Sequence, residues 1–442
     1  MTIKVGMISL GCSKNQVDAE RLLAVLAREG YEICSDMTEC EAVIVNTCGF
    51  IEDAKKESID TILECCAAKG EGRLKCVAVT GCLGERYRAE LASEIPEVDV
   101  VLGLGGNRRI GEAIREAVKG NHFIEYGEKE SLSMEGERIL ANEPWFAYVK
   151  VAEGCDNRCS YCAIPLIRGR FRSRPMENIL EECRRLAESG VTELNLVAQD
   201  TTRYGEDLTG KLRLPQLLRD LNELEGIEWI RVMYLYPNNF TDDLIAAFAE
   251  CDKVCKYIDI PLQHASDRLL ESMNRYDTRA QVEELLAKLR ERIPGITIRT
   301  TFIVGFPGET DEDFAELMDF VEKQRFENAG VFQYSQEEGT VAGAMENQIG
   351  PEVKENRYHE LMALQAGISE EIHQEREDEE LDVIVEGFDE ENPALAVGRS
   401  YHEAPDIDGN IFIENAAELE VGQMVRVRIL QGFTYEMVAE LV

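Results

Sequence analysis

The sequence has no apolar run that approaches the length needed to cross a bilayer, and it contains no internal repeat or low-complexity stretch. The apolar run from Val5 to Leu10 is too short for a signal peptide and predicts a first strand instead. These absences argue against a membrane protein, and a cytoplasmic protein is expected.

Positive charge is scarce. The chain has 47 Lys and Arg against 85 Asp and Glu, which gives a net charge of −38 at pH 7. Such a field repels phosphate backbones over long range, so bulk binding to nucleic acid is disfavoured. The same field would attract a basic protein partner.

The 442 residues are enough for about three domains, and the hydrophobic pattern changes twice along the chain. Residues 1–135 alternate apolar runs with helical patterns, which favours a parallel α/β layer. Residues 141–375 repeat this alternation about six times, which suits an open, partial α/β barrel with its ligand site at the carboxyl ends of the strands. Residues 376–442 show five short strands between turns and predict a small β-barrel. The predicted fold class is therefore α/β with a small carboxyl-terminal β-barrel.

Cysteine is abundant, with 14 in the chain, and disulfides are rarely stable in a cytosolic protein. Cys155, Cys159 and Cys162 place three thiols within eight residues, just after a predicted barrel strand. A tight loop of this kind can hold one face of a cubane iron–sulfur cluster and leave the fourth iron open, where an amine and a carboxylate can chelate. A zinc site is the alternative, but it needs a fourth Cys or His, and none follows nearby. This spacing predicts an iron–sulfur cluster that starts radical chemistry at its open iron.

A second cysteine set is spread over the amino-terminal region. Cys12, Cys48 and Cys82 each follow a predicted strand closely. Because parallel strands end at the same edge of a sheet, these three thiols are expected to converge on a second cluster with an open iron. Three strand-end cysteines in a core are the alternative. The other eight cysteines lack such a pattern and are interpreted as structural thiols.

Weaker signals lie at other predicted strand ends. Gln199 and Asp200 follow one barrel strand and are predicted to bind a cofactor, although a helix cap at Asp200 would look the same. Gln263 follows another strand, and Gly305 lies where a strand turns into a helix, so that its backbone could edge an adenine. Four alternate arginines predict either a solvated loop or a substrate contact near the first cluster: Arg168, Arg170, Arg172 and Arg174.

These motifs resemble a known family. The loop from Cys155 to Cys162 resembles the radical S-adenosylmethionine superfamily, and the separate cysteine triplet ahead of it with the small β-barrel behind it resembles the methylthiotransferases. Ser9–Asp18 and Arg399–Gly409 resemble the branch of that family that modifies a ribosomal protein rather than tRNA. The resemblance covers essentially the whole chain. It implies a Rossmann-like amino-terminal domain, a partial TIM barrel of about six β/α units, a TRAM domain, and two 4Fe–4S clusters held by the two cysteine triplets.

The implied reaction is methylthiolation of the β-carbon of an aspartate in the twelfth protein of the small ribosomal subunit. The resemblance implies that the cluster at Cys155, Cys159 and Cys162 reduces S-adenosylmethionine, and that the resulting deoxyadenosyl radical takes a hydrogen from the aspartate. The cluster at Cys12, Cys48 and Cys82 supplies or carries sulfur, and a second S-adenosylmethionine supplies the methyl group. An electron donor such as a flavodoxin or ferredoxin is an expected partner. No side chain is assigned as a separate catalytic residue.

Two other functions remain open on the sequence. A tRNA adenosine methylthiotransferase is the related alternative, but residues 376–442 carry four Arg or Lys against 17 Asp or Glu, a net of −13, which makes a poor tRNA clamp. A non-enzymatic iron–sulfur electron carrier or redox sensor is the alternative from another class. It would need neither two open irons nor a large barrel with polar strand ends.

Overall fold

A computed structural model describes residues 2–416 and 418–442. The amino-terminal part forms a six-stranded parallel sheet in the order β2-β1-β3-β4-β5-β6. Its strands are β1 (Lys4–Ser9), β2 (Glu32–Ile33), β3 (Ala42–Thr47), β4 (Cys76–Thr80), β5 (Val100–Leu102) and β6 (Phe123–Glu125). Its helices are α1 (Ser13–Arg28), α2 (Glu52–Gly70), α3 (Gly81–Arg86), α4 (Arg88–Glu94) and α5 (Ile110–Val118). This confirms the predicted parallel α/β layer.

The middle part forms a second six-stranded parallel sheet, in the order β14-β13-β12-β11-β10-β7, and it stays open. Its strands are β7 (Phe146–Lys150), β10 (Glu193–Val197), β11 (Trp229–Val232), β12 (Val254–Asp259), β13 (Thr297–Val304) and β14 (Asn328–Gln333), while β8 (Ala152–Glu153) and β9 (Arg172–Ser173) form a small antiparallel ribbon. The helices are α6 (Ile164–Arg168), α7 (Met176–Glu188), α8 (Glu206–Thr209), α9 (Leu214–Asn222), α10 (Asp242–Glu250), α11 (Asp267–Ser272), α12 (Arg279–Arg292) and α13 (Asp311–Gln324). The predicted open, partial barrel is confirmed.

The carboxyl-terminal part begins after the long helix α14 (Pro351–Glu375) and closes into a five-stranded barrel in the order β15-β16-β17-β19-β18. The strands are β15 (Glu380–Phe388), β16 (Ala396–Arg399), β17 (Asn410–Glu414), β18 (Met424–Gly432) and β19 (Glu436–Leu441). Alternate residues of these strands fill the barrel interior, so period-two patterning was sufficient to predict it. No helix among the described residues is long and apolar enough to cross a membrane.

The loop between β16 and β17 enters the open barrel at the amino-terminal ends of its strands. The guanidinium group of Arg399 pairs with Glu193, the first residue of β10, and Arg231 donates to the Tyr401 carbonyl at 2.7 Å. The Tyr257 hydroxyl donates to Asp408 at 2.6 Å. This loop therefore closes one end of the barrel, and the carboxyl ends of the strands face the first sheet.

The other end of the barrel is covered by α1. Val17 of this helix packs with Val197 and Met233, which lie at the carboxyl ends of β10 and β11. The open barrel is therefore covered by α1 at the carboxyl ends of its strands and by the β16–β17 loop at their amino-terminal ends.

Arg399→Met is expected to lower the free energy of unfolding by about 2–3 kcal/mol, because the buried Glu193 carboxylate would keep only Arg231 as a cationic partner. The matched control is Arg426→Met, which removes an exposed arginine from the same small barrel and should change stability by less than about 0.5 kcal/mol. Urea unfolding of both variants measures the difference. Equal stability of the two variants would contradict a stabilising role for the ion pair between Arg399 and Glu193.

Candidate active site between two cysteine triplets

The amino-terminal cysteines lie at the carboxyl edge of three neighbouring strands. Cys12 directly precedes α1, Cys48 directly follows β3, and Cys82 lies in the first turn of α3 after β4. Because β1, β3 and β4 are adjacent in the sheet, the structure places all three at one edge, as strand polarity predicts.

Two glycines allow the three cysteine loops to touch. Gly11 has φ +87°, and a Cβ there would lie 2.9 Å from the Cys48 sulfur. A Cβ on Gly49 would lie 2.7 Å from the backbone nitrogen of Leu83, next to Cys82. Any larger residue at either position would push two of the loops apart, so the local sequence fixes the convergence.

The amino-terminal set offers three thiols as ligands. No three His, Cys, Asp or Glu side chains of the described residues surround one point closely enough to hold one metal ion. A zinc ion would draw its sulfur ligands to about 2.3 Å and needs four of them, whereas a cubane spreads its thiolates farther apart. Burial raises the pKa of the Cys48 thiol to about 12, and burial also raises the pKa of Cys82 against the opposing charge of Arg168. Both thiols would therefore need a cation to become thiolates.

The second triplet lies on a loop between β8 and α6 that is tied to the barrel from several sides. Ser160 donates through its backbone to Met273 at 2.9 Å, and its carbonyl accepts from Ala342 at 2.8 Å. Asn274 donates to the carbonyl of Arg158 at 2.9 Å, and Arg158 has φ +53°. Burial raises the pKa of the Cys155 thiol to about 12. The loop is thus held in shape by hydrogen bonds that do not use its sulfur atoms.

Gln199 and Asp200 lie beside this loop and hold it. Asp200 accepts from the Asn157 side chain at 2.8 Å, and Gln199 donates to Glu153 at 3.0 Å. Burial raises the pKa of Asp200. The side-chain oxygen of Gln199 is buried and has no partner among the residues the structure describes. It is an acceptor that can serve a bound cofactor.

Gln263 and Gly305 occupy the barrel ends that the sequence predicts. Gln263 has φ +73° and pairs through its backbone with β13 on both sides of Phe302. The backbone N–H of Gly305 donates to Glu309 at 2.7 Å, so the turn itself uses this donor.

Burial raises the pKa of Glu309 to about 7, and the nearby guanidinium of Arg357 opposes this. Burial lowers the pKa of His264, next to Gln263, to about 3, so this imidazole is neutral.

The arginine stripe does not act as one unit. Arg170 is exposed and pairs with Asp156, as expected for a solvated loop. Arg168, the last residue of α6, and Arg174, which directly follows β9, are buried and paired with carboxylates of this chain. The turn at Gly169, with φ +76°, interrupts the segment, so the arginines do not share one environment. The solvated-loop alternative fits Arg170 but not Arg168 or Arg174.

A buried charge network joins the two triplets, and sequence reasoning missed it. Arg168 donates to Asp18 at 2.5 Å, to Glu153 at 3.1 Å and to the Cys82 sulfur at 3.4 Å. Lys150 donates to the same two carboxylates at 2.5 and 2.7 Å. Glu153 lies two residues before Cys155. The only sequence signal was Lys150 at the end of an otherwise apolar strand.

Apolar packing brings the triplets to one interface. Cys82 and Leu104 of the first sheet region pack against Ala163 and Ile167, and Ala163 directly follows Cys162. The loop of Cys82 and the loop that ends at Cys162 therefore meet at one interface, on the side where the barrel strands have their carboxyl ends.

Comparison with known proteins agrees with this arrangement. Residues 149–321 match the radical SAM superfamily, residues 4–103 match the uncharacterized protein family UPF0004, and residues 379–442 match the TRAM domain. Fold and site together define a radical S-adenosylmethionine enzyme with a TRAM domain.

Full-length relatives narrow this class. The ribosomal protein uS12 methylthiotransferase RimO of Desulforamulus reducens is 49% identical over 441 residues, which cover 99% of each chain. The RimO of Geobacter sulfurreducens is also 49% identical over 441 residues, 99% of this chain and 98% of the relative. The chain belongs to the RimO family of methylthiotransferases.

Solved structures support the fold alone. The radical S-adenosylmethionine methyltransferase TsrM from Kitasatospora setae is 17% identical, with a TM-score of 0.55 over 75% of both chains. The apo form of OxsB, a cobalamin-dependent S-adenosylmethionine radical enzyme, is 13% identical, with a TM-score of 0.54 over 83% of this chain and 56% of that one.

Proposed function

We propose that this chain attaches a methylthio group to the β-carbon of an aspartate in ribosomal protein uS12, the twelfth protein of the small subunit. The observation that carries the proposal is that the two cysteine-bearing loops meet at one interface, where Cys82 packs beside Ala163. A single electron-carrying cluster would not need a second open triplet at the same place. The names of the full-length relatives support the choice of uS12.

The proposed cofactors are two 4Fe–4S clusters and S-adenosylmethionine. Cys155, Cys159 and Cys162 hold one cluster, and Cys12, Cys48 and Cys82 hold the other. When bound, these groups supply a radical that removes a hydrogen atom from unactivated carbon, and the sulfur and methyl group that are added. Gln199 offers its free oxygen to the bound cofactor, while Asp200, Gln263 and Gly305 shape the barrel end around it.

The protein's own residues orient the parts and exclude water. Asp200 holds Asn157 of the cysteine loop, and Glu153 holds the backbone at Gly154. Val17 and the loop of Cys82 close the interface from the first sheet. The contribution of the protein to catalysis is therefore to hold the cofactors and the substrate in the right geometry, since the radical chemistry itself needs no protein base.

Three units divide this work: residues 1–135 hold one cluster, residues 141–375 form the radical domain, and residues 376–442 form the TRAM barrel. Helix α14 ends at Glu375 and β15 begins at Glu380, which supports a boundary between residues 375 and 376. The net charge of −13 on residues 376–442 favours a basic protein over tRNA as the substrate. An electron donor such as a flavodoxin or ferredoxin supplies electrons to the clusters. Because the proposed substrate is a ribosomal protein, the enzyme acts in the cytoplasm.

In a strain that lacks this gene, uS12 is expected to lose the mass of one methylthio group, while tRNA stays unchanged. Mass spectrometry of both molecules, with the complemented strain as control, measures this. Loss of a methylthio group from tRNA, with uS12 unaltered, would overturn the choice of substrate.

A further inference from the structure

One buried lysine at the interface of the triplets has no carboxylate partner. Lys14 is the second residue of α1 and follows Cys12 by two positions. The residue is only 6% exposed, its ammonium nitrogen keeps some contact with solvent, and no carboxylate of the described residues pairs with it. Burial raises the pKa of the Cys12 thiol, but the positive charges of Lys14 and Arg168 outweigh it and lower this pKa overall, so the Lys14 ammonium acts on the interface rather than on solvent alone.

The ammonium group points across the interface to the barrel. Its nitrogen lies 3.2 Å from the centroid of the Tyr234 ring, which follows β11. Tyr234 itself is fixed, because its backbone has φ +61° and its N–H donates to Asp259 at 2.9 Å. The aromatic face compensates part of the lost hydration but accepts no ion pair.

The neighbouring carboxylates are already used. Asp18 lies one helical turn from Lys14 and is bound by Lys150 and Arg168. Glu153 is bound by the same two cations and by Gln199. The two cations and two carboxylates of this network balance, so Lys14 is an additional positive charge beside the Cys12 thiol, with no carboxylate of its own among the described residues.

We propose that Lys14 binds the side-chain carboxylate of the target aspartate, an inference that rests on the proposed function. The carboxylate is bonded directly to the β-carbon that is modified. An ion pair with Lys14 therefore holds that carbon in the interface that both triplets line, next to Cys12. Charge-assisted hydrogen bonds of this kind discriminate strongly between a carboxylate and its neutral amide.

The test measures binding of uS12 to the cluster-loaded full chain, without S-adenosylmethionine, and compares uS12 with a variant whose modified aspartate is asparagine. The wild-type chain is expected to bind the asparagine form at least about tenfold more weakly. Lys14→Met should reduce this ratio to about one, and Lys14→Arg should restore most of it. Lys56→Met, which removes an exposed lysine of α2, is the matched control and should keep the full ratio.

The outcomes separate the inference from the function on which it rests. If wild-type protein methylthiolates uS12 but Lys14→Met keeps the tenfold preference, Lys14 does not bind the aspartate and the inference fails alone. If wild-type protein neither binds nor modifies uS12, the proposed function fails. S-adenosylmethionine also carries a carboxylate, so its affinity is measured in parallel. A loss of that affinity in Lys14→Met, with the aspartate preference intact, would assign Lys14 to the cofactor and overturn the proposal.

Iron content and thermal midpoint of each variant control for folding. Lys14→Gln offers a second neutral side chain of similar length if Lys14→Met loses its clusters. A chain of native iron content with either neutral residue that still prefers the aspartate form contradicts the proposal.

Discussion

Replacing Cys12, Cys48 and Cys82 together by alanine is expected to lower the iron content from about eight to about four atoms per chain. The variant should still convert S-adenosylmethionine to deoxyadenosine and should lose all transfer of the methylthio group. The reason is spatial: the two triplets belong to different sheets, so removing one set of thiols leaves the other loop with its own hydrogen bonds.

The reciprocal variant sharpens this test. Alanine at Cys155, Cys159 and Cys162 should also leave about four irons, but deoxyadenosine formation should stop. Cys183→Ala is the matched control, since this thiol lies on the buried face of α7 in the apolar core and its removal should leave the iron content unchanged. Retention of about eight irons in the first triple variant would reject those ligands.

Strand polarity explains why so much of the site could be predicted from sequence. The strands before Cys12, Cys48 and Cys82 are continuous apolar runs, and a parallel sheet leaves their carboxyl ends only one edge to share. The barrel strands and the small β-barrel follow from the same local patterns. Short elements escaped prediction: β2, β5 and β6 have two or three residues each, too few to show a period.

Contacts between distant segments could not be predicted. Helix α1 begins at Ser13, and its polar first turn faces the barrel and not solvent, which the local sequence alone does not show. The sequence shows Lys14 and Arg168 only as charged residues near cysteines. Arg168 binds Asp18, 150 positions earlier in the chain, whereas Lys14 has no carboxylate partner among the described residues, and the local sequence shows neither arrangement.

Arg168→Met is expected to lower the free energy of unfolding by about 3–5 kcal/mol, the usual cost of leaving a buried charge without its partner. Arg168 and Lys150 are the two cations that neutralise the buried carboxylates of Asp18 and Glu153. Despite burial, Lys150 and Arg168 hold the pKa of Glu153 well below its usual range. Methionine fills a similar volume, so the loss would come mainly from charge.

Two variants separate charge from packing. Arg168→Met combined with Glu153→Gln restores one cation to one carboxylate and should recover a large part of the lost stability. Arg170→Met removes the exposed neighbour that pairs with Asp156 and should leave the urea midpoint nearly unchanged. The measurement is the urea midpoint of the cluster-free chain under reducing conditions. If the double variant is as unstable as Arg168→Met, the network does not stabilise the fold through charge. The apolar packing of Ile167 and Cys82 next to Arg168 would then be what joins the two triplets.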